Sequence, residues 1–133
     1  TIEQGTAVFV IGLMAFCDSA SPPQPKIRAA QIECAWDYLE ETVGVESIEL
    51  TIEGDQVLDL QQRKFEACSP QRVVDLPPGN GLDVEPQRAT FTACGWIAWL
   101  ADLPVGQHQL RSVATAEEIH TWSPIIDVRP RSH

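Results

Sequence analysis

Three histidines, His108, His120 and His133, are the first residues to weigh for chemistry. A histidine oriented by a carboxylate beside a serine or cysteine is the minimum arrangement for nucleophilic hydrolysis. His108 opens a run in which His108, Leu110, Ser112 and Ala114 alternate with Gln109, Arg111 and Val113. That parity predicts an inward, locally hydrogen-bonded imidazole. His120 follows Glu117 and Glu118, but no Gly-x-Ser-x-Gly elbow accompanies it. Paired carboxylates could serve glycosidic acid–base chemistry. Nine acids and no Lys or Arg lie between Ala29 and Gln62, so coincidental pairs are expected there. Glu33, Asp37, Glu40 and Glu41 fall on one segment; Glu49, Glu53, Asp55 and Asp59 flank another. The plain reading is a solvated face. The alternative is a docking surface for a basic partner, with Glu40, Glu41 and Glu49 as candidate binding residues.

Other chemistries leave weaker traces. Asn80-Gly81-Leu82-Asp83-Val84-Glu85 places three oxygen-bearing side chains in one loop, but it is not a twelve-residue calcium loop. No Gly-x-Gly-x-x-Gly or Gly-Lys-Thr phosphate cradle occurs, so no cofactor is expected. Four tryptophans, Trp36, Trp96, Trp99 and Trp122, read as large core residues. Trp96 and Trp99 stand three apart and should point to opposite faces of a strand. Trp99 and Trp122 are therefore the candidates for an exposed sugar- or protein-binding ring.

The elements that must position these groups are mostly strands. The nearly unbroken apolar run from Ala7 to Phe16 predicts a central strand covered on both faces. The wider segment Thr6 to Phe16 is the one candidate targeting segment. It lacks a basic flank and is too short to span a bilayer. Met14-Ala15-Phe16-Cys17 is superficially like a lipoprotein attachment site, but the bulky Phe16 argues against cleavage there. A start at Thr1 without Met points to processing or trimming. After the proline-rich Ser19–Pro25 connection, Pro25 suits the first turn of a helix over about 26–41. Its apolar face would hold Ala29, Ile32, Ala35, Trp36 and Leu39. Cys34 would lie on a second, semi-buried side near Ile27, Ala30 and Tyr38, and Gly44 would end the helix.

Ile48, Leu50 and Ile52 alternate with Glu49, Thr51 and Glu53, and Gly54-Asp55 turns the chain into Val57–Leu60 as a hairpin. Further strands are expected at Lys64–Cys68, Arg72–Leu76 and Arg88–Cys94, the last continuing through Gly95 as a bulge. Trp96–Leu100 and His108–Ala114, joined by Leu103-Pro104-Val105-Gly106, predict a closing hairpin. Ile119–Trp122 and Pro124–Val128 would form an edge. The count predicts a mainly β chain: an immunoglobulin-like antiparallel β-sandwich of about eight strands with one inserted helix, residues 1–133 forming a single domain.

Bulk properties narrow the partners. The 133-residue chain is 44% hydrophobic with a formal net charge of -10. It can build a core, and it repels phosphate backbones and anionic lipid surfaces. No nucleic-acid partner and no membrane insertion are expected; a protein or glycan partner is. The four cysteines, Cys17, Cys34, Cys68 and Cys94, lack Cys-x-x-Cys spacing and read as two disulfides formed in an oxidising compartment. Three pairings are open by sequence. Cys17–Cys34 is the expected first bridge, because a short linker joins the end of a strand to mid-helix. Cys68–Cys94 would then join two strand segments.

Three pieces resemble a known layout: Ile48 through Val57, then Cys68-Ser69-Pro70, then Gly95-Trp96-Ile97-Ala98-Trp99-Leu100 running into Leu103-Pro104-Val105-Gly106-Gln107-His108. Together they are similar to a family of uncharacterised secreted bacterial β-sandwich proteins. Those carry an Asp-Gly turn, Ser-Pro, Gly-Tyr-Trp and Leu-Pro-x-Gly-x-His in that order. Cys17, Pro22-Pro23 and Cys34 fit the early part of the pattern. Gly54-Asp55 inverts the turn, Ala93-Cys94-Gly95-Trp96 replaces an acidic residue before the aromatic pair, and Cys68 and Cys94 are additions. The resemblance implies a secreted sandwich and is silent on activity. The reading carried forward is a non-catalytic secreted or surface-exposed domain acting through binding or assembly. The alternatives are a carbohydrate-binding module, a structural subunit of an extracellular assembly, and a small hydrolase.

Overall fold

The computed structural model describes residues 1–54 and 56–132; Asp55 and His133, together with the Gln56 side chain, lie outside the described residues. Among the described residues the chain is mainly β, with a six-stranded and a four-stranded sheet, one α-helix that continues into a π turn, and a short 3-10 turn at Arg63–Phe65. It divides into two compact units: Thr1–Leu13, Gly44–Glu66 and Trp96–His133 form the first, Met14–Val43 and Ala67–Gly95 the second.

The strands are β1 (Ile2–Glu3), β2 (Val8–Asp18), β3 (Ser47–Ile52), β4 (Gln56–Asp59), β5 (Glu66–Cys68), β6 (Arg72–Leu76), β7 (Gln87–Leu100), β8 (Gly106–Thr115), β9 (Ile119–Trp122) and β10 (Ile125–Arg129). The larger sheet runs β1-β10-β8-β3-β4, with β9 also on β8. β3 alternates as its sequence predicts: Ile48 and Leu50 are fully buried and Glu49 is exposed. Its antiparallel partner is β4, with Leu50 opposite Leu58. Glu53 and Gly54 turn the chain with φ of 56° and 77°. Glycine takes that conformation without a Cβ penalty, whereas Glu53 is held in it by an N–H bond to the Gln109 carbonyl at 3.0 Å.

Strand β8 organises this sheet. β3 pairs with Leu110–Thr115 on one edge. The other edge is shared, with β9 on Ser112–Thr115 and β10 on Gly106–Gln109. Ser123-Pro124 separates the two, because proline has no N–H to give the ladder; its carbonyl still accepts from Leu110 at 3.1 Å. Val10, Ile48, Leu50, Leu60, Leu110 and Val128 form the aliphatic core of this unit.

The second unit is packed differently. Its helix, α1 (Arg28–Asp37), continues as a wider π turn over Tyr38–Val43, and Gly44 with φ 66° stops it. Its hydrophobic cluster is Cys17, Ala35 and Cys94, joined by Ile32, Cys34, Trp36 and Cys68. Cys17–Cys34 and Cys68–Cys94 are the bridges present, with Cα–Cα separations of 6.1 and 4.1 Å. Two disulfides point to an oxidising compartment. No helix among the described residues is long and apolar enough to cross a membrane.

Several expectations are corrected. Among the described residues ten strands replace about eight; the two-residue β1 leaves no periodic signal, and the strand expected at Lys64–Cys68 is shortened to β5 by a 3-10 turn at Arg63–Phe65. The sheets are not wholly antiparallel: β1 runs parallel to β10. Trp96–Leu100 and β8 are not a hairpin, because β7 belongs to the smaller sheet and β8 to the larger. Turn residues set local backbone direction, not the partner of the next strand.

The apolar first strand is not covered on both faces. Val10, Ala15 and Cys17 are buried, but Phe9, Ile11, Met14 and Phe16 are 45–51% exposed. β2 ends the strand order of its sheet, so continuous hydrophobicity there is not central-strand burial. The helix starts at Arg28 rather than near 26, because Ile27 is extended at its N-cap. Ala29 is exposed, and Gln31 takes the place in the buried stripe instead. Ile27 and Tyr38, expected on a semi-buried side, are 67% and 50% exposed.

Candidate functional site

Strand alternation separates the two tryptophans of β7 as their spacing predicts: Trp96 is 4% exposed and Trp99 67%. Beside Trp99 stands Phe9 of β2, itself half-exposed. Their ring centroids lie 5.8 Å apart and their planes cross at 78°. This edge-to-face contact holds the indole without covering it. Ile11, two positions along β2, adds a further half-exposed apolar side chain. Sequence reasoning found Trp99 but missed Phe9 and Ile11, because it assigned β2 to the interior. The usable signal was the alternation of large residues at Phe9, Ile11 and Leu13 with smaller ones.

Trp122, on fully exposed β9, is 46% exposed, and no ring contact joins it to Trp99 among the described residues. Glu40 and Glu41 lie on the π turn of the second unit, while Glu49 lies on β3 of the first. Glu41 joins Glu33 and Asp37 along a groove of about 400 Å³ whose other walls include Pro23, Pro25 and Tyr38. A second cavity, of about 290 Å³, is lined by Phe16, Val74, Leu76, Leu82 and Phe91 with Asp18. Phe16 and Phe91 meet edge-to-face at 6.2 Å.

The histidines are placed by the larger sheet. His108 Nε2 lies 2.7 Å from the Pro104 carbonyl and Nδ1 meets a Glu53 carboxylate oxygen. The Pro104 carbonyl chiefly, then the Glu53 hydrogen bond, raise the His108 pKa above its ordinary value; burial opposes them and the Glu53 charge adds to them. With both nitrogens engaged, this imidazole has no free site to take a proton from a hydroxyl. His120 is exposed on β9. Asn80, in the loop considered for calcium, has its side chain engaged within that loop. Its Oδ1 accepts from Leu82 at 3.1 Å and its Nδ2 donates to Pro77 and Val84 at 2.9 and 2.7 Å. No group of three or more His, Cys, Asp or Glu side chains fit to hold a metal ion occurs among the described residues.

No family model, curated protein or solved structure matches the chain.

Proposed function

We propose that the chain is a non-catalytic, secreted binding domain that engages a protein partner through the aromatic face at Phe9 and Trp99. The observation that supports this best is an indole 67% exposed and braced by a half-exposed phenylalanine. Large rigid aromatics at the centre of a patch are the residues most often found carrying protein–protein affinity. Rings crossed at 78° do not form the flat two-ring platform that stacks on sugars, which favours a protein over a glycan. The engagement of both His108 nitrogens weighs against hydrolysis. The two bridges agree with an extracellular or periplasmic site of action. The immunoglobulin-like sandwich topology and the resemblance to secreted β-sandwich proteins belong to the same proposal.

The test follows the Trp99 indole N–H by NMR, with a photo-crosslinking residue placed at Phe9. The expected result is one defined protein cross-linked in the native medium. Its affinity should fall at least roughly tenfold on Trp99→Ala, the loss of a central anchor. Soluble oligosaccharides should leave the indole signal in place. A sugar-dependent shift of that signal, with no cross-linked protein, would favour the carbohydrate-binding alternative.

A further inference from the structure

We propose that His108 is a pH-operated latch: its charged ring ties the Ala101–Val105 connection to the β3–β4 turn, and loss of its proton releases that tie. The inference stands apart from the binding proposal. Nε2 faces a backbone carbonyl oxygen, Pro104 O, at 2.7 Å, and Nδ1 faces a carboxylate oxygen of Glu53. Neither an amide carbonyl nor an ionised carboxylate has a hydrogen to give. Both ring nitrogens must therefore donate, and an imidazole donates from both only as the imidazolium. One ring thus spans two chain segments: the connection through Pro104 and the turn through Glu53.

Deprotonation leaves one nitrogen with a lone pair facing an oxygen lone pair. Whichever nitrogen loses its hydrogen, the ring no longer bridges both segments. The turn is also anchored to β8 by the Glu53 N–H bond to the Gln109 carbonyl at 3.0 Å, so the connection is the segment that deprotonation releases. Asp102 in the connection and Glu53 in the turn both adopt positive φ, 57° and 56°, outside the comfortable range of a residue with a Cβ. Ala101, Asp102, Pro104 and Val105 are exposed. The His108 side chain is only 12% exposed, against 49% for Glu53, so the bridge lies partly beneath the connection.

Among the described residues, Glu53 is the acid that meets the ring. On β10, Ile126 stands opposite His108, and Asp127 stands opposite Gln107, hence on the other face. Asp127 is paired with Arg129 at 3.1 Å. On β3, Glu49 and Thr51 stand opposite Val113 and Arg111, again the odd-numbered face of β8. Asp102 is the remaining acid in the connection and is exposed.

The sign follows from the direction of the shift. A histidine whose value is raised in the folded state holds its tie fully below the ordinary range near 6.5, and loses it as pH rises through the higher folded value. The experiment is an NMR titration of the intact protein from pH 5 to 9. It reads the His108 ring nitrogens and the backbone order parameters of Ala101, Asp102, Leu103 and Val105. The expected result is a His108 midpoint above the ordinary imidazole value of about 6.5. The four amides should fall from rigid values near 0.85 toward 0.6 or below across the same midpoint. In Glu53→Gln the midpoint should move down and the loss of order move with it. In His108→Gln, which does not titrate, order should be flat with pH. The wild-type titration alone is decisive should a variant fail to fold. A midpoint no higher than the ordinary imidazole value of about 6.5, or unchanged order across the titration, would overturn the latch. A Glu53→Gln variant that titrates like wild type would do the same.

Discussion

The two units of this chain solve the same problem with different materials. In the first, the interior is mainly aliphatic: Val10, Ile48, Leu50, Leu60, Leu110 and Val128 are each 2% exposed or less, and Trp96, Ala98 and Ala114 are buried as well. In the second, the buried apolar residues are Ala15, Cys17, Ala20, Ala35, Leu39, Ala89 and Cys94, mostly small. Burial energy scales with apolar area, so the second interior yields much less of it per residue. What it has instead is covalent and polar. Both disulfides lie there. So does a buried glutamine, Gln31, whose Nε2 donates to the Pro25 carbonyl at 2.9 Å and to Thr90. Its Oε1 accepts from Thr92 at 2.8 Å and from Gln71 at 3.0 Å. Small regions with too little apolar area are commonly held by such cross-links. The comparison teaches that one chain can stabilise neighbouring stretches of sequence by different physics.

The largest test of that contrast is removal of both bridges by Cys17→Ala, Cys34→Ala, Cys68→Ala and Cys94→Ala. The bridges span 17 and 26 residues. Each contributes about 3 kcal/mol in the loop-entropy account. Hydrogen exchange should show α1 and β6 unprotected while β3 and β8 keep most of their protection. Equal loss in both units would break the comparison. The reciprocal experiment is Leu50→Ala, a fully buried side chain of β3. It should cost about 2–5 kcal/mol and register first in β3, β4 and β8.

Legibility in the sequence followed the same division. Where burial is aliphatic, alternation shows it: Ile48 and Leu50 on β3 and its pairing with β4 were readable from residue types alone, but not the register, which sets Ile52 opposite Gln56 where a two-residue turn would set Glu53 there. The strands at Ile119–Trp122 and Ile125–Arg129 were equally plain, though not their shared place along β8. The second unit was less legible, because its buried positions are filled by Ala, Cys, Thr and Gln, which carry little hydrophobic signal. Gln31 was invisible and Ala29 was wrongly placed in the core. β2 failed for the opposite reason: its sequence is apolar on both faces, yet Phe9, Ile11, Met14 and Phe16 stay about half exposed. Trp99 could be singled out, since three-residue spacing from Trp96 guarantees opposite faces on a strand. Its companion Phe9 depends on a long-range strand pairing that no local pattern encodes.

An intermediate effect is expected from Gln31→Leu. The change preserves bulk but removes the acceptor of buried Thr92 Oγ1, while Gln71 Nε2 keeps the Lys26 carbonyl and the Thr90 carbonyl keeps the Ser19 N–H. Leaving buried polar groups unpaired costs about 1–3 kcal/mol. Chemical denaturation should show that loss, and exchange should place it in α1 and β7. A more stable Gln31→Leu protein would mean that the second unit wants apolar area after all. In the first unit the matching probe is Gly12→Ala. A Cβ there would sit 2.8 Å from Ile48 Cγ2 and 3.3 Å from the Trp96 carbonyl. Overpacking of that kind costs about 1–3 kcal/mol. A neutral result would show that the aliphatic interior yields more readily than its close packing implies.

The smallest effect concerns the surface of the second unit. Arg88 Nε bonds Asp75 Oδ1 at 2.8 Å across the β6–β7 ladder, yet both side chains are 74% exposed. The Arg88 hydrogen bond, then its charge, hold the Asp75 carboxyl below its ordinary value. A depressed carboxylate contributes stability above its unfolded value, about 3.9, and loses that contribution as the medium becomes more acid. Solvent screens a pair this exposed, so the contribution is small at any pH. Asp75→Asn should therefore leave the unfolding midpoint at pH 7 unchanged within error. The displaced Asp75 titration, visible by NMR in the wild type, should return to the ordinary value in Arg88→Gln. If Asp75→Asn lowered the midpoint as much as Gln31→Leu, the polar contribution to the second unit would lie on its surface as much as inside it. The contrast between an aliphatic interior and a cross-linked, hydrogen-bonded one would then have to be redrawn.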